Sequence, residues 1–374
     1  MINAHMFKVG AVTLQDKVAY PMHQKEEIIH TIQENTDCNI LVFPELCLTG
    51  YTCADLFFNS KLLEESQIAL KAIVEETKSH LGQAIVLSMP LVYKNALYNC
   101  AVVLNEGKIL GVVPKVYIPS YAEFYESRWF TSGKDILHES ISLCDQTVPF
   151  SRNILFEDSI SKAVLACETC EDVWVLDKPS SHHCLHGANI ICNPSASDEL
   201  IGKQDYRRSL ISMQSGTCYC GYIYASSGTY ESSTDLVFSG HCLIAENGNI
   251  LNESIYPTGT YVTKAILDVD TMLHNRIHQT TYTNSLEESY TTVPCHIYSV
   301  SQVDSVSALA SVLKENEYSI SRLPFVPSGK EETYKRVKTI LQIQANGLAT
   351  RVKNTGIKNL VIGISGGLDR KSVV

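Results

Sequence analysis

Three short apolar runs in this chain each stop at a side chain that can do chemistry, and that arrangement restricts the fold more than any other feature. Ile40-Leu41-Val42-Phe43 runs into Pro44-Glu45. Ile109 to Val113, broken only by Gly111, runs into Pro114-Lys115. Ala163-Val164-Leu165-Ala166-Cys167 runs into Glu168-Thr169-Cys170-Glu171-Asp172. Continuous apolar runs of this length read as buried strands. A polar residue just past a strand end projects into whatever cleft the ends share. A carboxylate, an ammonium and a thiol meeting there supply a proton shuttle, a stabiliser of developing negative charge and a nucleophile. That set suits attack on a carboxamide.

Strand-like and helical stretches alternate through about the first 220 residues. Phe7–Val12 is a strand pattern, followed by a helical pattern over Gln24–Glu34. A long amphipathic pattern over Lys61–Leu81 carries Leu62, Leu63, Ile68, Leu70, Ile73 and Val74 on its apolar side. Tyr98–Leu104 and Lys108–Val113 read as a hairpin turning on Asn105-Glu106-Gly107. Ala188–Cys192 and Tyr222–Ala225 follow as buried runs, with a helix over about Leu200–Ser215 between them. Asn247-Gly248 then marks a second hairpin between Cys242–Ala245 and Ile250–Ser254. From about Asp270 a polar, threonine-rich stretch with little periodicity reads as chain leaving the compact body. The expected division is a body over residues 1–272, a linker over 273–325 with a short helix near Ser305–Asn316, and a last segment over 326–374. That segment reads as a helix over Glu331–Asn354 and a strand over Lys358–Ile364.

A formal net charge of −10 and the lack of any Lys/Arg run argue against a nucleic-acid partner. The N-terminus goes straight into a strand pattern, with neither a leader nor a membrane span in view. Thirteen cysteines without framework spacing fit reduced thiols, so the expected location is the cytoplasm. Most of them read as small buried hydrophobes. Cys170 differs because three acids bracket it; these would raise its pKa unless Lys115 reached the sulfur. Glu45, between apolar neighbours, suits a proton shuttle. The aromatic and charged run Tyr121 to Phe130 reads as one wall of a polar pocket.

Together, FPELCLTGY, PKVYIPSYAEFYESRWF, CETCEDVW and NPSASDELIGK stand in an order and spacing that resemble the nitrilase, or carbon–nitrogen hydrolase, superfamily. They are most similar to its glutaminase branch, the N-terminal domain of the glutamine-dependent NAD synthetases. The resemblance covers about residues 7–270 and implies an α/β fold, the nitrilase-type α-β-β-α sandwich. It implies that Cys170 attacks the glutamine amide, Glu45 shuttles protons and Lys115 stabilises charge. It places the substrate L-glutamine against Tyr121, Ser197 and Lys203. The family's supporting acid falls on Glu123, with Glu126 as the alternative. It implies no cofactor for this step, no metal, and assembly as a homo-oligomer.

The C-terminal Gly363-Ile364-Ser365-Gly366-Gly367-Leu368-Asp369 resembles the pyrophosphate-binding loop of an α/β ATP-pyrophosphatase domain. Glycines there let backbone amides approach phosphate, with Gly363, Ser365, Gly366, Gly367 and Asp369 as the nucleotide-binding candidates. ATP, Mg²⁺ and deamido-NAD are the partners such a domain implies. The family's next serine is replaced by Arg370, and four residues follow it. Asp369 to Val374 is also what one frame of a common sequencing adapter would encode. The expectation is therefore a truncated gene model, holding only the first helix and strand of that domain.

Two other features need a reading. His182-His183-Cys184-Leu185-His186 offers zinc-type ligands in a Ser-rich loop, but no second ligand pair has matching spacing. Cys218 and Cys220 read as packing, and Tyr219, Tyr222, Tyr224 and Tyr230 as sheet or interface aromatics. The rival functions are a stand-alone amidase acting on another small amide, and an inactive scaffold of the same fold.

Overall fold

The computed structural model describes residues 2–361, apart from 16, 283–288, 301, 304–305, 316–317, 319–322, 324–325 and 328. Two sheets lie face to face. The first has eight strands in the order Tyr261–Asp268, Met6–Thr13, Ile40–Val42, Ala84–Tyr93, Ala96–Asn105, Lys108–Pro114, Gln146–Phe150 and Glu139–Leu143. The second has seven, in the order Asn249–Ser254, Cys242–Glu246, Gly221–Ser226, Ile190–Ser195, Val164–Cys167, Ile154–Glu157 and Thr291–Pro294. Each sheet holds three adjacent parallel strands with an antiparallel neighbour on either side, and one further parallel pair nearer an edge.

The apolar runs are continuous because each strand is covered on both faces. Ile40 and Val42 point between the sheets toward the layer of Leu165, Cys167, Ile190, Cys192 and Ile223. Leu41 and Phe43 point outward, under Ile28 and Ile32 of the helix Pro21–Glu34 and Leu70 and Ile73 of the helix Ser60–Glu76. On the opposite side Ala166, Ile191 and Tyr222 lie under Cys184 of the helix Pro179–Leu185 and Ile211 of the helix Lys203–Cys218. Helix, sheet, sheet, helix is the expected sandwich. Gly111 interrupts its run because a Cβ there would sit 3.1 Å from the Phe156 ring and 3.2 Å from Ile154 Cδ1 of the facing sheet.

The body continues past residue 272, where a linker was expected. The helix Val269–His278 spans that point, and Thr291–Pro294 is an edge strand parallel to Ile154–Glu157. The Ile297 amide donates to Asp158 Oδ2 at 2.7 Å, Ser299 Oγ donates to the Ala4 carbonyl at 2.8 Å, and Gln302–Val303 pairs with Ile2–Asn3. An edge strand needs only one apolar side, so this threonine-rich stretch lacks the periodicity of its central neighbours. Contacts divide the chain at Tyr318/Ser319 instead.

In the second unit the helix Lys330–Thr355 ends at Gly356, which takes a left-handed φ of 67° and whose amide donates to the Val352 carbonyl. Residues 358–361 form no strand, and the rest of the expected strand lies outside the described residues, as do Gly363, Ser365, Gly366, Gly367 and Asp369. Among the described residues, no helix is long and apolar enough to cross a membrane.

Candidate active site

The first sheet supplies a carboxylate and an ammonium. Glu45 lies just past Ile40–Val42, and its amide donates to the Ser195 carbonyl of the second sheet at 3.2 Å. Lys115 is the residue after Lys108–Pro114, and its amide donates to the Asn99 carbonyl at 2.8 Å. Asn99, on Ala96–Asn105 next to the strand that delivers Lys115, donates through Nδ2 to Glu45 Oε1 at 2.6 Å. Lys115 Nζ donates to the same Glu45 oxygen at 2.7 Å. Both side chains are fully buried.

Lys115 has a second anion. Its ammonium lies 2.8 Å from both carboxylate oxygens of Glu126, and the Tyr51 hydroxyl donates to Glu126 Oε1 at 2.7 Å. Burial works against the charge on Lys115, but Glu126 and Glu45 outweigh it and hold its pKa well above the usual lysine range. Burial pushes the Glu126 carboxyl up to about 7, with Lys115 pulling it down and Glu45 pushing it up. The acid that meets the Lys115 ammonium is therefore Glu126 rather than Glu123. A short turn over Glu126–Arg128 swings the buried Glu126 inward, whereas Glu123 stays partly exposed and lines a neighbouring cavity. That cavity, of about 140 Å³, is also bordered by Tyr51, Phe124, Glu126 and Trp129; Glu45, Lys115 and Cys170 do not line it.

Cys170 comes from the second sheet. It opens the turn Cys170–Val173 just beyond Val164–Cys167, at a left-handed φ of 44°. Burial pushes its thiol well above the ordinary range; Glu45 and Glu126 add to this, while Lys115 and the Ala196 amide oppose it. Each acid around it has its own task. Asp172 accepts from the Thr169 amide at 2.9 Å and the Tyr117 amide at 2.8 Å, Glu168 accepts from the Tyr222 hydroxyl and the Ser180 amide, and Glu171 accepts from the Tyr121 hydroxyl at 2.8 Å.

One atom lacks such a task. Glu45 Oε2 is buried without a hydrogen-bond partner, an acceptor held beside the cation and open to a donor from elsewhere.

The expected glutamine contacts fall around the Cys170 turn in different states. Tyr121 is half exposed and reaches Glu171, the neighbour of Cys170. Lys203 pairs with Asp198, and its ammonium lies 5.5 Å from the Phe124 ring centre and 5.4 Å from that of Trp174. Ser197 is buried, and its hydroxyl accepts from Arg207 Nη2 at 3.0 Å. Nothing in the spacing marked Tyr51, and Asn99 left only a faint signal as an amide inside the otherwise apolar run 97–104.

The histidine segment is helical rather than a loop. His183 is buried with Nδ1 2.9 Å from the Tyr290 hydroxyl and Nε2 3.1 Å from the Cys167 carbonyl. Among the described residues, no cluster of His, Cys, Asp and Glu could hold a metal ion.

A two-sheet sandwich with a buried carboxylate–lysine pair facing a strained strand-end cysteine is the architecture of a nitrilase-type protein. The chain belongs to the carbon–nitrogen hydrolase family, whose pattern it matches over residues 8–271. It is 32% identical to the glutamine-dependent NAD(+) synthetase of Mycobacterium leprae over 366 residues, 97% of this chain and 53% of that protein. It is 35% identical to the enzyme of the same description from Mycobacterium tuberculosis H37Rv over 340 residues, 88% of this chain and 48% of the other. The chain thus spans about half the length of these curated relatives. The crystal structure of a glutamine-dependent NAD(+) synthetase from Cytophaga hutchinsonii superposes with a TM-score of 0.62 at 26% identity, covering 70% of this chain and 43% of that one. An amidase from Nesterenkonia, 17% identical with a TM-score of 0.58 over 74% of this chain and 95% of its own, shares the fold.

Proposed function

We propose that this chain is the glutaminase part of a glutamine-dependent NAD(+) synthetase, releasing ammonia from the side chain of L-glutamine through a thioester on Cys170. The observation that carries this is the unpartnered Oε2 of Glu45, beside a cation and within the electrostatic reach of a buried thiol. At rest Cys170 holds its proton, so attack requires a base, and Glu45 Oε2 takes the proton as sulfur adds to the amide carbon. The oxyanion is held by the Lys115 ammonium and a backbone amide near Cys170. Glu45 returns its proton to the departing ammonia, leaving the thioester. Water, deprotonated by Glu45, then cleaves that bond to glutamate and the free thiol.

Tyr121, Ser197 and Lys203 are assigned to the amino-acid end of the substrate. Similarity to the synthetases runs well past residue 271, where the hydrolase match ends, and this favours the synthetase reading over a stand-alone amidase. The ammonia would go to adenylated deamido-NAD in the synthetase domain, with ATP and Mg²⁺. The loop that would begin that site lies outside the described residues, so no step is assigned to it.

Treatment with a chloroketone analogue of L-glutamine tests the reading by mass spectrometry. One adduct per chain is expected at Cys170, prevented by excess glutamine. Wild-type protein that stays unlabelled, or Cys170→Ala that hydrolyses glutamine as fast as wild type, would refute it.

A further inference from the structure

We propose that Asn193 is a positioning residue for the nucleophile, clamping the backbone of Cys170 and itself aimed by Tyr222 and Glu168. The inference rests on the reading of Cys170 as the nucleophile, and it concerns groups placed behind the sulfur.

A residue other than glycine held at a φ of 44° relaxes to negative φ unless its surroundings prevent it, and that relaxation would swing the sulfur away from Glu45. The Cys170 amide makes its bond to a side chain, donating to Asn193 Oδ1 at 3.1 Å. Asn193 lies on Ile190–Ser195, the strand next to the one that delivers Cys170, and is completely buried.

The orientation of its amide group is not free. Oδ1 also accepts from Ser195 Oγ at 2.7 Å, and Nδ2 donates to the Tyr222 hydroxyl oxygen at 2.8 Å. A flipped amide would set its NH₂ against the Cys170 amide, donor to donor. Once Glu168 is ionised, above about pH 7, Tyr222 cannot reverse its role either, because its own proton goes to Glu168 Oε1. The other Glu168 oxygen accepts from the Ser180 amide at 2.8 Å, at the start of the helix Pro179–Leu185.

Every bond in the chain therefore has one direction, from Cys170 and Ser195 onto Asn193 Oδ1, and from Asn193 Nδ2 through Tyr222 to Glu168. Asn193, Tyr222 and Glu168 are all buried and sit on or beside three adjacent parallel strands. A fully satisfied buried network of this kind rigidifies what it holds. It also explains why Glu168, one of the three acids beside the thiol, does not act as its base.

The test is saturation kinetics of inactivation by the chloroketone glutamine analogue on Asn193→Ala and Tyr222→Phe. Asn193→Ala is expected to lower the saturated rate constant on the order of 100-fold, the cost of a nucleophile misplaced by a distant change, with the half-saturating concentration unchanged. Tyr222→Phe, which keeps the ring in its place, should lower the same constant by less. If Asn193→Ala does not fold, Tyr222→Phe decides. Variants that react with the wild-type saturated rate constant, losing only the final fraction labelled, would show a network that merely supports folding and would overturn the inference. Wild-type protein unlabelled at Cys170 would instead bring down the glutaminase reading, and this inference with it.

Discussion

Replacing Glu168 by glutamine should change how the stability of the body depends on pH. Burial pushes the Glu168 carboxyl up to about 7, even though the Tyr222 hydroxyl and the Ser180 amide pull it down. In the unfolded chain the group titrates near its ordinary 4.5. Below that pH both states hold the proton. As pH rises the unfolded state gives it up first and the folded state keeps it to about 7, so the stability it contributes drains away across that window. The gap corresponds to roughly 3 kcal/mol, lost by the wild type and absent from Glu168→Gln. The cost of rearranging hydrogen bonds around the new amide does not vary with pH and cancels in the comparison. Both tryptophans, Trp129 and Trp174, lie in the body, so fluorescence-monitored urea unfolding reports the relevant transition. Between about pH 4.5 and pH 8 the variant should gain roughly 3 kcal/mol relative to wild type. A difference that stays flat, or moves the other way, would mean that the two donors keep Glu168 ionised and that burial has been overweighted.

Two further changes probe the ion cluster and the seam between sheets. Lys115→Met leaves the Glu45 and Glu126 carboxylates buried without their shared cation, and urea unfolding near neutral pH should show a loss of about 3–5 kcal/mol; unchanged stability would argue that the pairs carry no weight. Gly111→Ala pushes a methyl to about 3.1 Å from the Phe156 ring, with an expected cost of roughly 1–3 kcal/mol that Phe156→Leu should partly restore in the double variant. Equal stability of the single variant would show slack between the sheets.

The strand ends were legible because these three strands, covered on both faces, stay apolar until they leave the core, so Glu45, Lys115 and Cys170 mark where they stop. What lay off the strands was harder to read. Glu123 and Glu126 differ only by three positions in a turn, and the choice between them depends on which one the Tyr51 hydroxyl and the Lys115 ammonium meet. Thr291–Pro294 was lost in a polar stretch because an edge strand needs little apolar content. Tyr222 read as a packing aromatic, since nothing in a linear sequence shows that its hydroxyl lies between Asn193 and Glu168. The three acids around Cys170 read as a repulsive bracket, whereas each is occupied by donors of its own.

Under the proposed mechanism the attacking sulfur of Cys170 belongs to one sheet while its base, Glu45, and its cation, Lys115, belong to the other, with the Glu45 amide bridging to Ser195 across the gap. On that mechanism, catalytic competence is a property of the lamination and of neither leaf alone. Any fluctuation that lets the leaves slide or part disarms the centre before either sheet loses its own hydrogen bonds, so loss of reactivity toward electrophiles should be the earliest sign that the protein is coming apart.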